Sequence, residues 1–439
     1  MFAIIASLRI VYSVIASFLP LHIKLTHNTI TSSKTGFILA MFDISTFVCS
    51  PYIGKVQHRY NKRNFIAFGY SLCLVSSAAF ALLDLDIEDD TFFLFAVILR
   101  FLQGLGDACA INAIYSASAY EFPDQRDMIF GLLEASYGVG FTLGPLIGQV
   151  LYAQYGFKTC FIVVSAILLI PMGFIWTMEF QKEDFTNKSR DRSVLGLDLT
   201  YGQLLMNKRT LWSLGSMYLC IVCMIFYEPL LTNQLTSMDI GLNKIGYFFL
   251  FGTLSYVVFG PLVGAFSNRV SEKRYLMLAA FATTSLALLF FGPSELFLLP
   301  QSVELMCFGL ILTGLSMSLL IVPVIPELIK SSQEALNIEE TPSLCDKCSA
   351  MSLTSQSLGY IFGPIIGGGL YDRYGFRGTT DILMIVSVIL SMMYYLLVIR
   401  PLRIYRGDDL IMTTQDLQNK RLKDSEGYQY QELTFAHED

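Results

Sequence analysis

Residues 144–158 read GPLIGQVLYAQYGFK and residues 363–377 read GPIIGGGLYDRYGFR, identical at nine of fifteen positions. A second echo precedes each copy. Ser45, Val48, Pro51, Gly54 and Arg59 return 210 residues later as Ser255, Val258, Pro261, Gly264 and Arg269. Helix packing through Gly-Pro steps explains each glycine but not two blocks repeated in the same order, so the chain is an internal duplication. Around the blocks lie apolar runs long enough for the roughly 20 residues of a membrane-crossing helix. They fall at about 1–21, 35–53, 64–83, 91–118, 128–153 and 159–178, then at about 210–233, 245–265, 275–292, 303–327, 349–371 and 380–400. The expected fold is an all-α polytopic membrane protein, with twelve transmembrane helices in two six-helix pseudo-repeats. The first bundle covers 1–178, a cytoplasmic linker 179–209, the second bundle 210–400, and a hydrophilic cytoplasmic tail, expected to be disordered, 401–439. A duplication of this kind places a pathway between the halves near the bilayer midplane.

Composition agrees. Of 439 residues 54% are hydrophobic and only 15% charged, against roughly 25% charged in a soluble domain. That excludes a soluble enzyme. The net charge of −6, without a basic patch to follow phosphates, excludes a nucleic-acid partner. Loops after even-numbered runs, with Arg400, Arg403 and Arg406, hold 19 Lys and Arg, and loops after odd-numbered runs hold six. The positive-inside rule then puts both termini and the linker in the cytoplasm. The first run lacks a basic n-region and a cleavage site, so it reads as a span rather than a leader. Most cysteines (Cys49, Cys73, Cys109, Cys160, Cys307) lie in apolar runs and read as small hydrophobes. Cys220-x-x-Cys223 sits in an apolar run and Cys345-x-x-Cys348 in a polar loop, too far apart for one metal site. No metal or other cofactor is expected.

Three motifs stand out. They are Gly54-Lys-Val-Gln-His58-Arg59-Tyr-Asn-Lys62-Arg63, Arg100-x-x-Gln103-Gly104-x-Gly106-x-Ala108, and Gly131-x8-Gly140-x3-Gly144-Pro145-x2-Gly148. Together they resemble signature motifs of the major facilitator superfamily, the last being its antiporter motif. His58 stands where the first motif usually has Asp, and Gln149 where the antiporter motif ends in Gly. Longer stretches are similar to the vesicular amine transporter family, especially its vesicular polyamine transporter branch. These are Gly36-x-Ile38 through Asp43 to Gly54-Lys55, Ala119-x-x-Phe122-Pro123, Gly131-Leu-Leu-Glu134 and Leu151-Tyr152-x-x-x-Gly156-Phe157. In the second half they are Glu228-Pro229-x-Leu231, Val322-Pro323-x-x-Pro326-Glu327 and Gly363 to Phe376. The resemblance implies uptake of an organic cation into an acidic organelle in exchange for lumenal protons, and a part in proton coupling for Arg100. Monoamine members carry an acid in span 1 where this chain has Arg9, which argues against monoamines.

Charges inside the spans are costly and usually face a bundle interior. Here they are Arg9, Asp43, Arg100, Asp107, Glu134, Glu228 and Glu327. Five acids against two bases suit a cationic substrate, and a proton and a cation can compete for one carboxylate. Glu228, deep in span 7 with no helical base nearby, is the leading cation candidate, with Asp43 next. Asp107 lies two turns beyond Arg100, so a structural pair weighs equally with a substrate role. Glu134 is either functional or paired with Arg100 or the bases after span 2. Glu327 either binds or gates by pairing with Lys330, and Arg9 is left unassigned. Tyr115, Tyr137 and Tyr227 can offer rings to a cation, or simply pack. The gating set is Gly54, Arg59, Arg63, Gly140, Gly144, Pro145, Gly264, Arg269, Gly363 and Pro364.

The leading reading is a monomeric, proton-coupled antiporter that loads polyamines or related organic cations into acidic vesicles. The alternatives are a transporter of another solute, such as an organic anion or drug, and a receptor or scaffold that kept the fold. No phosphate loop, H-E-x-x-H or Ser/His arrangement supports an enzyme. Tyr430-Gln-Glu-Leu433 has the pattern of an endosomal sorting signal for a cytoplasmic adaptor. That points to vesicles or endosomal and lysosomal organelles, with the plasma membrane as the alternative. Asn187-Lys-Ser189 fits a glycosylation acceptor but falls on the cytoplasmic side.

Overall fold

The computed structural model describes residues 1–27, 29–84, 88–177, 199–228, 230–240 and 242–401. Residues 187–189, 430–433 and most of the linker and tail lie outside them. The chain divides into two compact units, Met1–Leu390 and Ser391–Asp439, and the described part of the second is helical to residue 401. Among the described residues there is no strand.

The first crossing is bent by 40° between α1 (Phe2–Val14) and α2 (Leu19–Thr26), where Pro20 opens the second helix. Side chains at the boundaries start the next elements. Thr31 caps α3 (Ser32–Val56) and Asn61 caps α4 (Lys62–Phe80), each accepting from a first-turn amide. Asp89 and Asp90 open α5 (Asp89–Glu121), where negative charge suits the helix dipole. After α6 (Arg126–Ile175), a Thr200/Gln203 capping box starts α7 (Tyr201–Met206), and Asn207 caps α8 (Lys208–Ile225). The chain continues through α9 (Leu231–Ser237), α10 (Leu242–Ser267), α11 (Arg274–Phe291), α12 (Val303–Leu336) and α13 (Pro342–Tyr394).

Among the described residues eight helical stretches are long and apolar enough to cross a bilayer, or nine with the bent α1–α2 pair. Two of the eight, built on α6 and α13, run 53 and 58 residues, more than twice the roughly 20 that one crossing takes. Each breaks at a glycine with left-handed backbone, Gly156 at φ +77° and Gly375 at φ +67°. A side chain would be strained at either position. Both precede the Phe of the duplicated block, so each long helix is two crossings joined by the same turn. With α8 as the seventh crossing, each of the twelve expected runs lies on a helix. One boundary moves. Cys345 and Cys348 are buried on the first turns of α13 rather than in a loop, because that helix starts at Pro342.

The repeat also explains the packing. A Cβ on Gly140, Gly144 or Gly148 of α6 would strike Ala6, Ser13 or Ser17 of the first crossing. On α13, Gly359 and Gly367 press in the same way on Ile221 and Phe226 at the end of α8, while Gly363 faces Val222 with room for ordinary van der Waals contact. The two sets share one 219-residue offset (359 − 140, 363 − 144 and 367 − 148). The duplicated block therefore seats a helix closely on the first crossing of its own half. Pro145 and Pro364 follow the middle glycine of each set.

Candidate functional site

A cavity of about 490 Å³, its open mouth included, lies between the halves of the chain. α6 contributes Tyr137, Gly138 and Phe141, α8 and the turn after it Met224, Tyr227 and Glu228, α10 Tyr256, α12 Thr313 and Met317, and α13 Tyr360. The wall is aromatic. Its one acidic side chain is Glu228.

The sequence-predicted charges divide into six environments. Arg9 forms a buried ion pair with Asp107, and its guanidinium carbon lies 4.7 Å from the Tyr137 ring centre. Arg9 therefore has an acid partner, and Asp107 is matched by Arg9 rather than Arg100. Arg100, 1% exposed, donates to Gln103 Oε1 at 3.0 Å and lies 4.9 Å from the Phe42 ring centre. Asp43 accepts from Tyr12 Oη at 3.1 Å and feels the charges of Arg100 and Arg9. Glu134 is fully buried and, among the described residues, forms no ion pair, although it feels the charge of Arg9; Tyr115 and Tyr256 each donate to one of its oxygens at 2.6 Å.

Glu228 differs from all of these. Among the described residues its carboxylate has neither an ion pair nor a hydrogen bond; it feels the charge of Asp43, and the Tyr12, Tyr227 and Tyr360 side chains in turn feel its own. The side chain is partly exposed to the cavity, so a cation or a proton entering it can neutralise this charge, and the surrounding rings favour a cation.

Glu327 belongs elsewhere. At 1.5 Å per residue it sits about 36 Å along α12 from Val303, in the second half of that helix. It is fully buried there beside Arg209 Nε at 2.5 Å, with Arg274 Nε at 3.8 Å. Lys330, the expected partner, instead holds Glu272 at 3.1 Å. This end of the bundle carries the basic loops. Burial alone disfavours the Glu272 carboxylate, but donors from Arg274 and Lys330 outweigh it and hold the group below its ordinary pKa.

Among the described residues three ion pairs join the chain's halves, all at this basic end: Lys62 with Asp346, Arg126 with Glu340, and Lys273 with Asp127 at 2.7 Å. Asp346 also takes the Ser116 hydroxyl and the Gln57 amide, and Asp127 accepts from Ser267 Oγ at 2.8 Å. Among the described residues no ion pair joins the halves at the opposite end. Asp127 and Asp346 are repeat mates, separated by the same offset as Gly144 and Gly363 (346 − 127 and 363 − 144). Gly54 presses on Asp346 and Ala350, as Gly264 presses on Asp127 and Gly131. The offset was present in the sequence, although neither acid drew attention there. Tyr12, Tyr256 and Tyr360 had no comparable signal, since nothing in local spacing says which distant acid a tyrosine meets.

A family model described as Major Facilitator Superfamily matches residues 1–336 and 239–406. The chain belongs to the major facilitator superfamily. The human MFS-type transporter SLC18B1 is 24% identical over 414 residues, covering 92% of this chain and 87% of the relative. The human synaptic vesicular amine transporter is 23% identical over 367 residues, 83% of this chain and 66% of that protein. In fold, the crystal structure of the human organic anion transporter MFSD10 (TETRAN) superimposes with a TM-score of 0.68 at 16% identity, over 90% of this chain and 97% of that one. The protein is thus a multi-pass membrane transporter of the facilitator fold, and its relatives are transporters rather than enzymes. Of the expected gating arginines, Arg59 and Arg269 are exposed, and Arg63 lies 5.7 Å from the Trp176 ring centre. Among the described residues the bases that pair across the seam are Lys62, Arg126 and Lys273.

Proposed function

We propose that this transporter is a proton-coupled antiporter that moves polyamines or related organic cations into acidic vesicles by alternating access. The observation that carries the reading is the unpaired Glu228 carboxylate in an aromatic cavity between the halves. The relatives' names, a vesicular amine transporter among them, support the amine class. Asp43 is the second anionic group within electrostatic reach of Glu228, so a chain with two ammonium groups finds two acids. The cation and the proton exclude one another at Glu228, because either neutralises the same charge. One pH unit across the membrane then contributes about 1.4 kcal/mol per proton to uphill loading.

In this reading the basic end faces the cytoplasm, its three ion pairs shut it, and the cavity is in its lumenal phase. The two bundles, 1–178 and 210–400, rock about the cavity with the linker between them, the chain works as a monomer, and the tail motif serves vesicular sorting. The test is binding and uptake of labelled spermidine by purified protein in acid-inside proteoliposomes. Glu228→Gln should abolish both while the protein stays folded. Full uptake by the Gln variant, or competition by organic anions but not amines, would overturn the assignment.

A further inference from the structure

Below the cavity one carboxylate ties the two halves of the chain together. Glu134 on α6 takes one hydroxyl from Tyr115 of α5, in its own half, and one from Tyr256 of α10, in the other. The seam around it is tight. A Cβ on Gly131 would strike the Gly260 carbonyl, and one on Gly138 would crowd Val257 and Tyr256. Tyr256 also lines the cavity, so one side chain touches both that space and the buried acid. The charged and titratable groups facing Glu134 are Arg9 from α1, Tyr115 from α5 and Tyr256 from α10. Among the described residues none does so from α4 or α12, which also pack on α6. Arg9 is already held by Asp107.

A tyrosine hydroxyl has one proton to donate. The ionised carboxylate uses both donors, and each bond is charge-assisted, about twice as strong as a neutral one. Once Glu134 carries a proton, that assistance is gone. The oxygen bearing the proton also becomes a donor, so the hydroxyl facing it must turn its own proton elsewhere. Tyr115 is confined within one half, whereas Tyr256 has the cavity beside it. The loss therefore falls on the bond that crosses the seam.

We propose that Glu134 is a proton-operated clasp: ionised, it holds α6 against α10, and a proton arriving through the Tyr256 hydroxyl releases that seam. Tyr256 gives its hydroxyl proton to Glu134 and takes one from the cavity, so its hydroxyl is restored. The proposal rests on the antiport reading and adds where the proton acts: Glu228 holds the cation, and Glu134 converts lumenal acidity into opening of the basic end.

The experiment places genetically encoded spin labels at Tyr60 and Ala335, exposed positions on the basic end of the first and second half. Their separation is measured between about pH 8 and pH 5 with no substrate present. The native protein should move from a short to a longer distance on acidification. Glu134→Gln should favour the long distance at both pH values, and Tyr256→Phe, which only removes the donor, should do the same. Losing one charge-assisted bond corresponds to a roughly ten- to hundredfold change in the long-to-short ratio. A pH-independent distance in the native protein, or a native pH response in both variants, would overturn the clasp. Because no substrate enters the measurement, failed spermidine uptake overturns the antiport reading separately.

Discussion

Asp346→Asn should unlock the basic end. Asp346 is fully buried, and Lys62, Ser116 and Gln57, all from the first half, converge on its Oδ1 atom. Removing one partner of a buried ion pair costs about 3–5 kcal/mol. The Lys62 side chain is 11% exposed and keeps Ser116 Oγ at 3.2 Å, so the low end of that range, about 3 kcal/mol, applies. Where the halves part at this end, both charges are hydrated and the substitution costs little. The penalty therefore falls on the shut arrangement and shifts the balance toward opening by about a hundredfold, at 1.4 kcal/mol per factor of ten. Ala350 is buried across the seam from Gly54, so Ala350→Cys reports the opening. Peptide-mapped labelling by a membrane-impermeant maleimide should run about a hundredfold faster at that cysteine in the Asp346→Asn background. An unchanged rate would refute the view that this cluster is what keeps the end shut.

Two further outcomes follow from the charges. Arg9→Ala leaves Asp107 buried without its base and should destabilise the folded protein by about 3–5 kcal/mol. The Arg9→Ala/Asp107→Ala double variant should recover a good part of that, and a thermal double-mutant cycle with purely additive effects would show that the pair is not coupled. Glu272 is held below its ordinary pKa, so its contribution to stability is fully present above the unfolded value of about 4.3 and is lost as pH falls through the depressed folded value. Glu272→Gln should therefore melt below the native protein at neutral pH, with the gap closing in acid. A gap that does not change with pH would contradict the pairing with Arg274 and Lys330.

Much of the fold was legible because a bilayer enforces simple rules. Apolar runs of the required length become crossings, and the duplicated block around Gly144 and Gly363 carries the same helix contacts in both halves. The basic loops likewise mark one end of the bundle. What the sequence withheld is contact between distant helices. Arg9 and Asp107 are 98 positions apart, and Tyr256 lies 122 from Glu134, so no periodicity links either pair. Glu327 was expected either to bind or to gate by pairing with Lys330; α12 runs unbroken through Pro323 and Pro326 and sets the acid beside Arg209, 118 positions away in the chain. Prolines are tolerated in such helices because neighbouring groups satisfy the freed carbonyls. Glu228 was expected to be an acid without a helical base; that the wall around it is built from α6, α10, α12 and α13 is set by contacts between distant helices.

The central claim is that protons leaving an acidic compartment drive an organic cation in. The direct measurement is accumulation of labelled spermidine in acid-inside proteoliposomes, with and without an ionophore that collapses the pH gradient. The account predicts accumulation above equilibrium that disappears with the gradient and is absent in Glu228→Gln. Accumulation that survives collapse of the gradient, or native protein that moves no amine under it, would contradict it.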